Sequence, residues 1–139
     1  MKYKYRILAL IIPLIILSAC KKPSNVTLPG NIQSISEEMA SNLLKSLDSH
    51  NYKTFSRDFN SNMRKAMTED AFENMYATFN SKAGEFKSFQ YEKVETEQGF
   101  VVAYFNVIFS KGNFTLRLVL EPEEPYKIAG IWFPDFTVD

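Results

Sequence analysis

The sequence predicts an α+β fold, in which helices come first and pack on one face of a curved antiparallel sheet of about four strands. Apolar residues recur at helical spacing as far as about residue 82, and strand-like patterns follow. Turn signals at Gly99 and at Lys111-Gly112-Asn113 divide this second half into hairpins. Helices followed by a run of strands are typical of α+β domains.

The first helix is predicted to begin at a capping box, with Ser34 as the N-cap and Glu37 reaching back to the Ser34 backbone. The segment from Asp48 to Asn51 interrupts the apolar pattern and ends this helix. Its apolar stripe is formed by residues four positions apart, which are Ile35, Met39, Leu43 and Leu47.

The apolar residues from Tyr52 to Met67 indicate a pair of short helices rather than one long helix. A further helix is predicted to follow Thr68, a good N-cap residue, because two acidic residues suited to a first turn come next. The stripe of this last helix runs from Phe72 to Phe79, and the helix ends near Ala83-Gly84.

The strands are predicted at Phe86 to Glu95, at Phe100 to Phe109, after residue 113, and at Tyr126 to Phe133 with Gly130 as a candidate bulge. In the third strand large apolar residues alternate with a more polar set. We expect Phe114, Leu116, Leu118 and Leu120 to face the helices, and Thr115, Arg117 and Val119 to face away.

The outer face of the sheet is predicted to carry an apolar patch, because the second strand is apolar on both sides. The residues that face outward are either the alternate residues of this strand or the set Val101, Ala103, Phe105, Val107 and Phe109. Monomers rarely leave such patches bare. We therefore expect a second copy, an envelope partner or the C-terminal residues around Phe136 to cover this face, with Arg117 at its rim.

The first twenty residues resemble the signal of a bacterial-type lipoprotein. A basic start and a short apolar run, too short for a comfortable membrane span, lead to Leu17-Ser18-Ala19-Cys20, a lipobox. The resemblance implies a signal peptide at 1–19, a lipidated tether at 20–31 and a single α+β domain at 32–139. Cys20 would then be the first mature residue and carry acyl chains such as palmitate.

The resemblance also implies where the protein is located. Lys21 follows the lipidated cysteine, where an Asp would resemble an inner-membrane retention signal. The expected location is the cell envelope: the outer membrane where there are two membranes, and otherwise the outer face of the cytoplasmic membrane.

The charge balance argues against a nucleic-acid partner. The chain has 16 basic and 16 acidic residues, and removal of 1–19 takes away three basic residues, which leaves 13 against 16. A mildly acidic protein lacks the basic stripe that nucleic acid requires. His50 is the only histidine and Cys20 the only cysteine, so the sequence predicts no metal site and no other cofactor.

Three segments carry a further resemblance: Asn51-Tyr52 with Phe55, Phe59 and Met63, then Gly84-Glu85-Phe86, and then Ile128-Ala129-Gly130-Ile131-Trp132-Phe133. They resemble an uncharacterised family of exported lipoprotein domains within the nuclear transport factor 2-like, cone-shaped α+β superfamily. That resemblance implies a pocket between the helices and the sheet, where enzymes of the superfamily place a carboxylate, a His or a Tyr. The superfamily also contains binding modules, so its fold does not choose a function.

Tyr76, Tyr104 and Trp132 are candidates for lining a pocket, because each has an apolar body and a polar tip. No catalytic residue is predicted. His50 lies in a turn, where it could be exposed or act as a ligand or base. Glu92, Glu95 and Glu97 form either a solvated strand face or a site for calcium or an electrophilic substrate.

These features predict a membrane-tethered, non-catalytic module that binds a ligand or a protein. The alternatives are a small isomerase- or dehydratase-like enzyme that uses the cone pocket, and a structural accessory of an envelope complex. A carboxyl group or a histidine projecting into the cavity would favour the enzyme.

Replacement of Cys20 by Ala should abolish lipidation and leave the protein uncleaved or released in soluble form, since the lipobox supplies the only thiol. Mass spectrometry of the native protein tests the expectation. An intact Met1 together with a free thiol would contradict it.

Overall fold

The structure, a computed structural model, describes residues 26–136, and the lipobox with Cys20 lies outside the described residues. Helices come first and a four-stranded antiparallel sheet follows, in the order β1-β2-β3-β4, with no pairing of β4 to β1. The predicted α+β fold is therefore confirmed. The elements are α1 (Ile32–Asp48), α2 (Tyr52–Phe55), α3 (Ser61–Ala66), α4 (Glu69–Lys82), β1 (Phe86–Glu97), β2 (Phe100–Phe109), β3 (Gly112–Leu120) and β4 (Ile128–Trp132).

Helix α1 begins earlier than the sequence predicts, and the expected capping box is wrong. Asn31 occupies the N-cap position, because the Ile32 backbone N–H donates to the Pro29 carbonyl in a preceding turn. Ser34 consequently lies inside the helix. The Glu37 carboxylate accepts a hydrogen bond from the Gln33 side chain at 3.0 Å instead of reaching back to a backbone N–H.

The other helix starts follow side-chain caps. The Thr68 hydroxyl accepts a bond from the Ala71 N–H at 3.3 Å, which confirms the predicted cap of α4. Asn51 and Asn60 cap α2 and α3 in the same way. Two separate caps explain why this segment forms two short helices.

Two tight hairpins connect β1 to β2 and β2 to β3. Gln98 and Gly99 connect β1 to β2 with φ angles of 50° and 85°, which confirms the predicted turn at Gly99. The second turn is one residue earlier than predicted, because Phe109 pairs with Gly112. In β4 the irregularity falls at Ala129 rather than Gly130, since Val119 pairs with Gly130 and Leu120 with Ile128.

The hydrophobic core lies between the helices and the inner face of the sheet. From the helices, Phe55 and Phe72 meet with ring centroids 4.8 Å apart and are fully buried. From the sheet come Val101, Ala103, Phe105, Val107, Phe109, Leu116, Leu118 and Leu120. The inward orientation predicted for the buried leucines of β3 is therefore confirmed.

Of the two sets of β2 residues that could face outward, the structure places the more polar one on the outer face of the sheet. Phe105 lies in the core, so the residues of β2 that face outward are the other set: Phe100, Val102, Tyr104, Asn106 and Ile108. Phe136 does not cover this face, because its ring stacks on Phe79 at 4.3 Å and contacts Phe114 at 5.1 Å on the helix side.

The chain joins the domain before the first helix begins. Val26 and Leu28 pack against the core, although both lie in the segment predicted as a tether. Within residues 26–136, no helix is both long and apolar enough to cross a bilayer.

The two faces of β2 predict different costs of truncation. Phe105→Ala should lower the free energy of unfolding by about 3–5 kcal/mol, because it leaves a cavity in a fully buried site. Ile108→Ala, on the outer face of the same strand, should cost about 1 kcal/mol. Urea denaturation followed by circular dichroism measures both; equal costs would contradict the assignment of the faces.

Candidate functional site

A cleft of about 320 Å³ lies on the outer face of the sheet, opposite the helices. It is open on one side and combines an apolar floor with aromatic and charged walls. We call it the outer-face cleft, and its lining residues are Glu97, Gln98, Phe100, Val102, Arg117, Val119, Ala129 and Trp132.

The register of the sheet produces the cleft. Val102 pairs with Val119, and Val119 pairs with Gly130, so a row of small residues crosses three strands. In the neighbouring row Tyr104, Arg117 and Trp132 are paired in the same order and are much larger. Residues two apart along a strand share a face, so the row of small residues forms the floor and the row of large ones forms a wall.

The aromatic walls are unusually accessible. Phe100 is 40% exposed and Trp132 is 50% exposed, and in the part of the chain that the structure describes they are the exposed large hydrophobic side chains. Both line the same cleft, whereas Val102 beneath them is fully buried. Exposed apolar side chains that meet at a concave site are typical of binding surfaces.

Gly130 provides the space in which the indole ring lies. A Cβ atom at this position would be only 2.0 Å from the Trp132 ring. The ring also faces the Arg117 guanidinium, whose central carbon is 5.2 Å from the ring centroid, a cation–π distance. Trp132 is therefore held over the sheet while half of it remains open to solvent.

A polar network fixes the charged wall. The Tyr104 hydroxyl donates a hydrogen bond to Glu97 Oε1, and Arg117 Nη2 donates to Glu97 Oε2 at 2.5 Å. Arg117 Nε donates to the Tyr104 hydroxyl oxygen at 3.3 Å. The three side chains come from three adjacent strands, so the sheet itself sets their spacing.

The network also sets the protonation states. Hydrogen bonds from Tyr104 and Arg117 lower the pKa of Glu97 below its ordinary value. The bond to the Glu97 carboxylate, together with burial, raises the pKa of Tyr104. At neutral pH the wall therefore holds a carboxylate, a neutral phenol and a guanidinium, none of which is placed to exchange a proton near pH 7.

The structure brings together two of the three predicted pocket residues. Tyr104 contributes to the network beside the cleft, and Trp132 lines the cleft. Tyr76 lies elsewhere: its ring stacks on His50 at 3.8 Å, and His50 Nε2 is 2.8 Å from Glu73 Oε2. The cavity that Tyr76 lines holds only about 20 Å³.

The predicted glutamates have separate roles. Glu97 belongs to the network, whereas the Glu95 carboxylate pairs with Lys93 at 2.9 Å. Glu92 lies at the β1 register shift and is exposed. Within residues 26–136, no group of three or more His, Cys, Asp or Glu side chains is arranged to hold a metal ion.

The interface between the helices and the sheet, where the superfamily resemblance implies a pocket, is filled by side chains. Phe55, Phe72 and Phe105 are fully buried there. His50 lies at the surface with 42% of its side chain exposed, and the buried Asp58 carboxylate is bound by Arg57 and Asn42.

A second groove, of about 400 Å³, lies between α1 and α2 and is lined by polar side chains, among them Asn42 and Arg57. The Arg57 guanidinium is already engaged by the Asp58 carboxylate at 2.9 Å. With no exposed aromatic wall, this groove is a weaker candidate than the outer-face cleft.

Five lining residues of the cleft are not singled out as site residues by the sequence: Gln98, Phe100, Val102, Val119 and Ala129. The usable signal was the alternation of large apolar and more polar residues along β3, combined with the pairing of β3 to its neighbours. Without the register, those residues are indistinguishable from ordinary strand residues.

Helices on one face of an open antiparallel sheet, with a cleft on the other face, define a small α+β domain. The chain belongs to the family described as Protein of unknown function (DUF3887), which matches residues 40–131. This match runs from within α1 into β4 and includes all of the cleft lining except Trp132. No curated protein and no solved structure matches the chain.

The lowered pKa of Glu97 predicts a pH-dependent contribution to stability. A carboxyl group whose pKa is lower in the folded state stabilises the fold above its unfolded pKa, and the contribution is lost as pH falls through the folded pKa. Glu97→Gln should therefore cost about 0.5–1 kcal/mol at pH 7 and almost nothing in acid, below the folded pKa.

Denaturation of both proteins between pH 7 and pH 2 measures this difference. Glu92→Gln is the matched control, because its exposed carboxyl group is on the same strand. A cost for Glu97→Gln that stays constant across this range would contradict the prediction.

Proposed function

We propose that this chain is an exported lipoprotein, lipidated at Cys20, whose domain binds a ligand or a partner protein at the outer-face cleft and is not an enzyme. The lipobox supports the anchor. The order of helices and strands also supports our proposal that the family is a branch of the nuclear transport factor 2-like superfamily.

One observation is the main support for a binding function. Phe100 and Trp132 lie on strands separated by β3, yet their exposed rings line one cleft. Leaving both rings in water costs free energy that a bound apolar group would recover, at about 25 cal/mol per Å² of apolar surface. Aromatic side chains at the centre of a patch are also the residues that most often dominate binding.

The fixed wall supports the same function. Arg117 and Glu97 are already held by hydrogen bonds across three strands, so a ligand would not need to order them. Binding to a preorganised surface avoids part of the entropic cost of association. The same argument applies to a second copy of the chain or an envelope protein that would cover Phe100 and Trp132.

The enzyme alternative has less support. A general acid or base needs a pKa near the working pH, and all three pKa values in the network are shifted away from neutrality: that of Glu97 is lowered, and those of Tyr104 and Arg117 are raised. A structural accessory of an envelope complex is compatible with the same face, because covering it would bury the same two aromatic rings.

Photo-crosslinking in the cell envelope tests the site. A benzophenone amino acid replaces Phe100, and in a separate protein it replaces Lys53, an exposed residue of α2 on the other side of the molecule. We expect a defined adduct from position 100 and none from position 53. Mass spectrometry of the adduct distinguishes a small ligand from a protein.

Two glycine variants give the matched control. Gly130→Ala should reduce the adduct, because the new methyl group must displace the Trp132 ring. Gly112→Ala should leave the adduct unchanged, since its Cβ would meet only the Phe114 ring at an ordinary 3.5 Å. Equal labelling from positions 100 and 53, or indifference to Gly130→Ala, would refute the proposed site.

A further inference from the structure

We propose that the outer-face cleft takes a small amphipathic organic cation, with its apolar or aromatic body on the cleft floor and its amine toward the loop at 121–124. This inference rests on the proposed function and deepens it by naming the class of ligand. It is drawn from the acidic depression beside the cleft and from the state of Arg117.

The depression adjoins the cleft at Phe100, which lines both. It has a volume of about 390 Å³, and its other lining residues are Glu121, Pro122, Glu123 and Glu124. An apolar surface and an acidic one therefore share a single aromatic wall. A ligand lying across Phe100 would contact both.

The charges around Phe100 are unbalanced. On the cleft side, Glu97 is paired with Arg117 and Glu95 with Lys93. On the loop side, none of the three glutamates forms an ion pair with another residue in the described range 26–136.

Two further residues, Asn60 and Lys127, bear on the charge of the loop at 121–124. Glu121 Oε1 accepts a bond from Asn60 Nδ2 at 2.9 Å, which leaves its charge in place. The Lys127 carbonyl accepts the Glu121 backbone N–H at 2.9 Å, and setting the whole charge of Lys127 against the loop would still leave two of its three negative charges. The loop end of the cleft therefore stays negative and attracts a cation.

Arg117 does not make the cleft an anion site. Its guanidinium already donates to Glu97 and to Tyr104 and lies against the Trp132 ring. An incoming carboxylate would have to displace Glu97 or lie beside it, where like charges repel. An ammonium group meets no such obstacle at the loop.

The volume indicates a small ligand. At about 320 Å³ the cleft is at the lower end of the range of small-molecule sites. This volume accommodates one aromatic ring or a short alkyl chain together with a two-carbon link to the amine.

Three probes of the same shape test the charge. They are 2-phenylethylammonium, 2-phenylethanol and 3-phenylpropanoate, which differ only in carrying a cationic, neutral or anionic group on the same phenylethyl body. Trp132 is the only tryptophan of the chain, so its fluorescence reports binding directly. The full-length protein is titrated in uncharged maltoside micelles, with N-acetyltryptophanamide in the same micelles as the control for partition.

We expect the ammonium probe to bind roughly fivefold or more tightly than the carboxylate, with the alcohol between them, because one net charge acts at short range near the surface. Replacing Glu121, Glu123 and Glu124 together by Gln should remove this order and leave the affinity for the alcohol unchanged. The matched control replaces Glu37, Glu38 and Glu69, on the helices, and should keep the order.

The outcomes separate the two proposals. Equal or tighter binding of the carboxylate, or an order that survives the loop substitutions, would overturn the cationic ligand and leave binding at the cleft intact. If the fluorescence of Trp132 responds to none of the probes, the cationic ligand is also ruled out. The proposed function is tested separately, by the photo-crosslinked adduct at position 100.

Discussion

The pairing of β2 with β3 is the constraint on which both faces of the domain depend. Because side chains alternate along a strand, a slip of one residue would either move Phe105 out of the core or turn Arg117 inward. The tight turn that pairs Phe109 with Gly112 fixes this register from one end. The core then holds the register in place, since the buried Val101, Ala103 and Phe105 of β2 pair with three buried leucines of β3, which are Leu120, Leu118 and Leu116.

The outer-face cleft follows from that register together with one small residue. Strand pairing places a row of small side chains beside a row of large ones. Because Gly130 has no side chain, the Trp132 ring lies flat on the sheet rather than projecting from it. Arg117 serves both sides of this arrangement, because it contacts the indole ring and is held by Glu97. Local packing and strand pairing therefore build a preorganised surface without any contribution from the helices.

The sequence predicted the elements better than the surface. Helical spacing and the Thr68 cap located the helices well, because those signals are local. The cap of α1 was misplaced because the turn at Pro29 competes with Ser34 for the helix start. The outward set of β2 could not be chosen, since a strand that is apolar on both faces carries no alternation. The cleft needs residues from four strands, and only the three-dimensional pairing brings them together.

The packing of Val26 against the core has a consequence for how the protein would meet its surroundings. In the proposed anchored state five residues separate Cys20 from Val26, and they reach at most about 20 Å when fully extended. That is less than the diameter of a domain of this size, roughly 30 Å. The domain would therefore sample only the thin layer of water next to the lipid headgroups. Compounds that partition to that layer would reach it by a two-dimensional search.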